Sequence, residues 1–508
     1  MASHRITTSD RHAILYVIGS LLAPLAVGFA FGFTGPTIDT MRNTIQTPDG
    51  HHIDIGYNNN LHIFSTSTES SLFSAAVTVG AVIGSLVGGP VTELLGRRVT
   101  FLLAAPMSAC GYILVGVGKV PWVLVLGRGL EGISIGVCSF NGAVYIQEIS
   151  PSPLRGIFGS CTQLVTVIGM IVIYGLGIVV RTQAGSLDPF ATSTTFSDWR
   201  ILSFICIIPS GLLFIVMFFS SETPRWLATK GRLDDAKLVL QHIRGVPITD
   251  PRISAEVEAL EEATRKTGDR SATLIDRIKI LWSCKRQTII VIGVPILNQF
   301  TGLSAIVFYQ TTIFIKSGLH NPNLMSFTVQ LTSLAGNILA LLFIDRLGRR
   351  PLGLISSFGM GMGQLLIAIY FYLDSIGKGT HLAWFSLVGS YLYHFFFSLG
   401  LGPLLYLMGA ELFPDHARGL ASSLSITTTW LFAAVFLLSL DHAIEATSMQ
   451  AVFFFFTVIS FILLIFIWWL LPETKGKTLD EVQSLFHKYH PTIFLTKYSS
   501  SNVDKNNA

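Results

Sequence analysis

The sequence predicts an all-α membrane protein: twelve transmembrane helices in two pseudo-symmetric six-helix halves, with a cytoplasmic helical segment between them. Three observations predict it. Only 13% of the 508 residues are charged and 50% are hydrophobic, with a mean hydropathy of +0.59. A globular surface needs about a quarter charged residues. Apolar runs long enough to cross a bilayer recur twelve times. Three charged motifs also occur twice, in the same order. A chain that cannot cover itself for water must turn its outside to lipid, which excludes a cytosolic enzyme and a nucleic-acid binder.

The first six runs are Ala13–Ile38, Ser71–Val91, Val99–Val115, Pro121–Ile146, Gly156–Val180 and Ile201–Phe219. The other six are Thr288–Ile315, Met325–Ile344, Pro351–Leu373, Leu382–Ala410, Leu420–Leu440 and Ala451–Leu471. Before the first lies a short polar stretch without a cleavable signal pattern. Between the sixth and seventh, Glu222 to Arg286 carries thirteen Lys/Arg and ten Asp/Glu. Helical spacing in Asp234–Leu240 and Ala255–Ala263 predicts amphipathic surface helices there. The expected organisation is a tail over 1–12, a first half over 13–220, a linker over 221–286, a second half over 287–472 and a tail over 473–508.

Basic residues set the topology. With the N-terminus inside, the inner loops hold Arg97, Arg98, Arg155, the linker cations, Arg346, Arg349, Arg350 and Arg418. The outer loops hold few. The positive-inside rule therefore predicts that both termini and the linker are cytoplasmic.

The repeats explain the number twelve. Glu93-Leu-Leu-Gly-Arg-Arg98 is echoed by Asp345-Arg-Leu-Gly-Arg-Arg350, and Glu148…Arg155-Gly156 by Glu411…Arg418-Gly419. Ser221-Glu-Thr-Pro224 is echoed by Pro472-Glu-Thr-Lys475. Six spans per copy is an even number, so both halves face the same way, as parallel repeats about an axis along the membrane normal do. Two such halves around one central site can rock and open it to each side in turn, which is the design of a carrier.

Interrupted helices at matching places point to a carrier's site. Phe33-Thr34-Gly35-Pro36 in the first span and Phe300-Thr301-Gly302 in the seventh are predicted to break and to line the cavity. The seventh span supplies Asn298, Gln299, Thr301, Ser304 and Tyr309; the fifth adds Gln163 and Thr166. The tenth and eleventh add Tyr406, Thr429 and Trp430. These are neutral donors and acceptors flanked by aromatics, which suit a small neutral polyhydroxylated ligand and suit a phosphate or carboxylate poorly. Single amides in membrane helices also serve as helix–helix contacts, and Tyr406 and Trp430 also fit packing or interfacial roles. Arg128 and Glu131, at i and i+3, can pair on one helix face; the pair is either structural or the carrier of a proton. The five cysteines and thirteen histidines show no metal spacing, and no catalytic constellation is present, so neither enzyme activity, metal nor cofactor is expected.

The ordered motifs resemble the sugar porter family of the major facilitator superfamily over Leu15 to Val482. They are Gly89-x-x-x-Glu93-x-x-Gly-Arg-Arg98, Gly127-Arg128, Tyr145-Ile-Gln-Glu148…Arg155-Gly156, Gln163-Leu164, Glu222-Thr-Pro-Arg-Trp-Leu227, Asn298-Gln299-x-Thr-Gly302, Asp345-Arg-x-Gly-Arg-Arg350, Gly402-Pro403, Glu411-Leu-Phe-Pro414 and Pro472-Glu-Thr-Lys-Gly476. The resemblance implies the major facilitator fold. It also implies that Gln163, Asn298, Gln299 and Trp430 contact a sugar. Salt-bridge networks that latch the inner gate would be formed by Glu93, Arg97, Arg98, Glu148, Arg155, Glu222, Arg225, Arg349, Arg350, Glu411 and Arg418.

Departures from the family pattern bear on which sugar is carried. The amide pair reads Asn-Gln, Ser304 stands where asparagine is usual, and the tenth span reads Pro403-Leu-Leu-Tyr406 in place of Pro-x-Pro-Trp. Thr429 replaces an asparagine, and Thr34 stands where proton-coupled members carry aspartate. Glu69-Ser-Ser-Leu-Phe-Ser74 and Phe31-Gly-Phe33 look more like plant dehydration-responsive and insect trehalose carriers than vertebrate glucose facilitators. The expectation is facilitated diffusion of a hexose such as glucose by a monomeric unit in the plasma membrane. The alternatives are proton symport, transport of a polyol, inositol or disaccharide, and a transporter-like sugar receptor.

Overall fold

The structure, a computed structural model, describes residues 16–41, 44–46, 52–54, 63–64, 66–150, 155–183, 198–247, 249–267, 279, 281–379, 381–414, 417–477 and 479–488. Six helices long and apolar enough to cross a membrane precede the linker: Tyr16–Met41, Thr68–Leu95, Arg97–Val117, Pro121–Ile149, Cys161–Val180 and Trp199–Phe219. Six follow it: Lys285–Lys316, Pro322–Ile344, Arg349–Ser375, Trp384–Gly409, Gly419–Leu440 and Met449–Leu470. Leu86, Phe219, Leu342 and Trp469 are among the large apolar side chains left exposed, as lipid-facing positions require.

Small residues bring the helices close where lipid gives no hydrophobic reason to pack. The second span lies along the fourth, and a Cβ at Gly132 would stand 2.1 Å from the Val77 carbonyl oxygen. In the second half the ninth span packs on the tenth and twelfth. The halves meet where the second span touches the eleventh, the fifth the eighth, and the first the seventh.

The seventh span breaks as its sequence predicts, but Phe300, Thr301, Gly302 and Tyr309 lie off the cavity lining, which Gln299, Leu303 and Ser304 reach on either side of the break. Lys285–Phe300 and Leu303–Lys316 are separate helices joined at Thr301-Gly302, with Gly302 at φ 86°. The freed Thr301 carbonyl accepts from Gln364 Nε2 of the ninth span at 2.6 Å, and the Thr301 hydroxyl lies 2.9 Å from that of Tyr393 in the tenth.

The first span corrects the expectation. Leu22–Met41 runs unbroken through Gly35-Pro36, and Gly35 serves a close approach instead. A Cβ there would fall 2.1 Å from the hydroxyl oxygen of Tyr174, which crosses to the other half and donates to the Val307 carbonyl at 3.2 Å. Phe33, Thr34 and Pro36 are buried within the half and do not line the cavity.

Outside the spans, the linker helices Leu233–Arg244 and Pro251–Thr267 share a small core of Leu240, Ile253 and Val257, and the short helix Pro224–Thr229 touches both. The tail assigned from residue 473 contains a helix, Leu479–Lys488, docked by a hydrogen bond from Gln483 Nε2 to the Leu412 carbonyl at 2.8 Å. A two-stranded antiparallel ribbon, Thr44–Gln46 with His52–Asp54, follows the first span. Three-residue strands are too short for alternation to reveal, so the sequence shows only a polar connection there. The two ends of the bundle are called below the linker end and the ribbon end.

Candidate functional site

A cavity of about 910 Å³, counted with its open mouth, lies between the halves. The first half contributes Phe31, Thr78, Ser139, Gln163, Thr166 and Met170. From the second come Gln299, Ser304, Phe308, Phe397, Ser425, Thr429 and Trp430, among others. Among the described residues no charged side chain lines it.

Of the residues expected to bind, Gln163, Gln299, Ser304 and Trp430 are brought together on this cavity. The Ser304 hydroxyl donates to Gln299 Oε1 at 2.8 Å, which fixes the amide and leaves its NH₂ as donor. Asn298 is not on the lining: it is fully buried, and neither amide atom is hydrogen-bonded to the described residues. The side chain of Tyr406 lies outside what is described. Sequence reasoning missed Phe31 as a lining residue. Its ring stacks on Trp430 across the two halves, with centroids 5.3 Å apart, and meets Phe308 edge-on at 6.0 Å.

The sequence profile described as "Sugar (and other) transporter" matches residues 15–486. The chain belongs to that family. It is a sugar transporter of the sugar porter family and not an enzyme. It is 30% identical over 494 residues to "Sugar transporter ERD6-like 6" of Arabidopsis thaliana, covering 96% of this chain and 92% of the relative. It is 27% identical to "Solute carrier family 2, facilitated glucose transporter member 8" of Mus musculus, covering 94% and 95%. It is 29% identical to "Facilitated trehalose transporter Tret1" of Polypedilum vanderplanki, covering 92% and 87%. Among solved structures, "Inward open conformation of the xylose transporter XylE from E. coli" superposes with a TM-score of 0.72 at 21% identity, covering 93% and 99%. That likeness shows the major facilitator fold.

In this sugar porter the charged motifs build two matching networks at the linker end. Arg97 pairs with Glu148 at 2.9 Å, and the Thr223 hydroxyl donates to the same carboxylate at 2.6 Å. Glu222 accepts the backbone N–H groups of Arg97 and Arg98, at 2.9 and 3.1 Å, and so caps the third span's N-terminus. In the second half Arg349 pairs with Glu411 at 2.9 Å, Thr474 donates to Glu411 at 2.6 Å, and Glu473 accepts the N–H groups of Arg349 and Arg350 at 3.0 and 3.1 Å. Arg98 donates to the Met217 and Phe218 carbonyls, and Arg350 to that of Trp468. Burial pushes the Glu222 carboxyl above its ordinary value, against the downward pull of the Thr223, Arg98 and Arg97 N–H groups and of the Arg97 charge.

Each of these ion pairs stays within one half. Glu93 is exposed and contributes its carbonyl to Trp226 Nε1 at 3.0 Å, and Arg225 is exposed. The side chains of Arg155 and Arg418 lie outside what is described. The sequence reading left out Glu473, although its echo of Glu222 was visible.

Arg128 and Glu131 are both fully buried and paired at 2.7 Å, away from the cavity lining. Arg128 Nη2 donates to Thr34 Oγ1 at 2.7 Å, both terminal nitrogens reach the Ala30 carbonyl at 3.3 Å, and the guanidinium lies over the Phe33 and Phe73 rings. Among the described residues no cluster of His, Cys, Asp and Glu could hold a metal ion.

Proposed function

We propose that this sugar transporter carries a neutral hexose such as glucose by alternating access and facilitated diffusion. The observation that carries the reading is the uncharged cavity between the halves, with amides for two-way hydrogen bonds and aromatic rings for the C–H faces of a sugar. Sugar contacts are assigned to Gln163, Gln299, Ser304 and Trp430, with Asn298 behind them and Tyr406 on the tenth span. The two charged networks act as stiff ends of the halves that dock on each other when the linker end closes. The functional unit is the monomer, the halves meet the linker near 220 and 287, and the basic linker end faces the cytoplasm with both termini in a plasma-membrane protein.

The test is uptake by purified protein in liposomes across a panel of hexoses, polyols including inositol, and trehalose, with and without an imposed pH gradient. The expected result is hexose equilibration that the gradient does not drive uphill. Preference for a polyol or trehalose replaces the hexose assignment. Gln299→Ala should weaken sugar affinity about tenfold, the worth of one or two lost hydrogen bonds, with the protein still folded. Unchanged uptake removes the seventh span from the site.

A second reading, proton symport, is favoured by one observation: the carboxylate of Glu131 is buried in a membrane helix, with Oε1 not hydrogen-bonded to the described residues. Uphill uptake driven by the pH gradient selects it.

A further inference from the structure

The tenth span is not an ordinary helix beside the cavity. Between Trp384–Phe396 and Gly402–Leu412, the residues Phe397–Leu401 form one π-helical turn, closed by the Gly402 N–H on the Phe397 carbonyl. The cause lies one residue on. Pro403 has no N–H, and in an α-helix its ring would press on the Leu399 carbonyl four residues back; the wider turn relieves that clash.

The hydroxyl of one side chain braces that wider turn by bonding two backbone groups five residues apart, the π spacing. Ser356 of the ninth span, fully buried, accepts the Leu401 N–H at 3.1 Å and donates to the Phe396 carbonyl at 2.7 Å. Close contact makes this possible, since a Cβ on Gly400 would stand 2.7 Å from Ser356 Cβ.

The wider turn also changes which side chains share a face. Phe397, Gly402 and Leu405 all line the cavity. At about 100° per residue in an α-helix, Phe397 and Gly402 would point about 140° apart. At about 82° per residue in a π turn, the difference falls to about 50°.

We propose that Ser356 is a positioning residue for sugar transport: its hydroxyl holds the π turn that puts Phe397 on the cavity wall. The proposal rests on the cavity being the sugar site. Without that hydroxyl the Leu401 N–H and the Phe396 carbonyl lose the bridge that holds them at π spacing. The turn then relaxes to the ordinary pairing of Leu401 with the Phe397 carbonyl, and the Phe397 ring rotates away.

The experiment compares the full-length protein with Ser356→Ala in two arms. Glucose binding is measured with all native cysteines present. Labelling by a small water-soluble thiol reagent is measured on single-cysteine proteins carrying Phe397→Cys or, as a control on the same cavity, Ser425→Cys. In those proteins Cys110, Cys138, Cys161, Cys206 and Cys284 are replaced by serine.

Ser356→Ala should weaken glucose binding about tenfold and slow labelling at position 397 by a similar factor, with labelling at 425 unchanged. Unchanged glucose affinity overturns the proposal. So does labelling at 397 that Ser356→Ala leaves alone, or that falls together with labelling at 425, as a general loss of structure would produce. A protein that binds no glucose before substitution defeats the hexose reading instead, and the labelling contrast still decides the role of Ser356.

Discussion

Glu222 and Glu473 do at one atom pair what a helix start in a membrane protein needs. Each carboxylate sits over a turn whose glycine, Gly96 or Gly348, has φ near +95° and whose next two N–H groups would otherwise lack partners. Burial holds the carboxyl of Glu222 above its ordinary value of 4.5, so the folded state favours the neutral form more than the unfolded chain does. Its stabilising contribution is then complete below about pH 4.5 and declines as pH rises through the raised value. The difference in thermal midpoint between wild type and Glu222→Gln should accordingly be smaller at pH 8 than at pH 5; a difference that grows with pH contradicts the raised carboxyl. Residue type was readable from the chain, and direction was not. Asn298 and Gln299 are adjacent, yet one step of about 100° around the helix puts only Gln299 on the cavity. Phe31 shows the converse, since nothing in its neighbours marks it until Trp430 stacks on it from the other half.

At the scale of elements, periodicity and length located all twelve spans, because about twenty apolar residues are a long and redundant signal. The two Thr-Gly steps had different outcomes from the same letters. After Thr301, Gly302 takes a positive φ and neighbouring helices offer Gln364 and Tyr393 to the freed backbone. After Thr34, Gly35 stays helical, and Tyr174 occupies the space a side chain there would need. The partners that decide lie far away in sequence, so local reading cannot separate the cases. Gln364→Leu, which strands the Thr301 carbonyl, should cost about 1–3 kcal/mol and lower the thermal midpoint in detergent. A midpoint equal to wild type would show that the break needs no such support.

The whole molecule joins two similar bodies, each with its own charged network at the linker end. Hydrogen bonds that cross between them include Tyr174 to Val307 and, deeper toward the ribbon end, Thr312 to the buried carboxylate of Asp39 at 2.9 and 3.1 Å. Bonds of this kind must break whenever the halves part at that end. Thr312→Val keeps the shape and removes the donor. It should raise labelling of Ser425→Cys by an impermeant thiol reagent from the ribbon side about tenfold, the shift expected for some 1.5 kcal/mol. Equal labelling would mean that the bond persists through the cycle.

The bare lining of the cavity reaches beyond recognition. An electric potential of 100 mV acts on each elementary charge that crosses the bilayer with about 2.3 kcal/mol, and on an uncharged sugar in an uncharged chamber with nothing. Under the proposed facilitated diffusion, net flux answers to concentration alone, indifferent to voltage, and an electrode should record silence while sugar moves; a sugar-evoked current would announce an ion travelling with it.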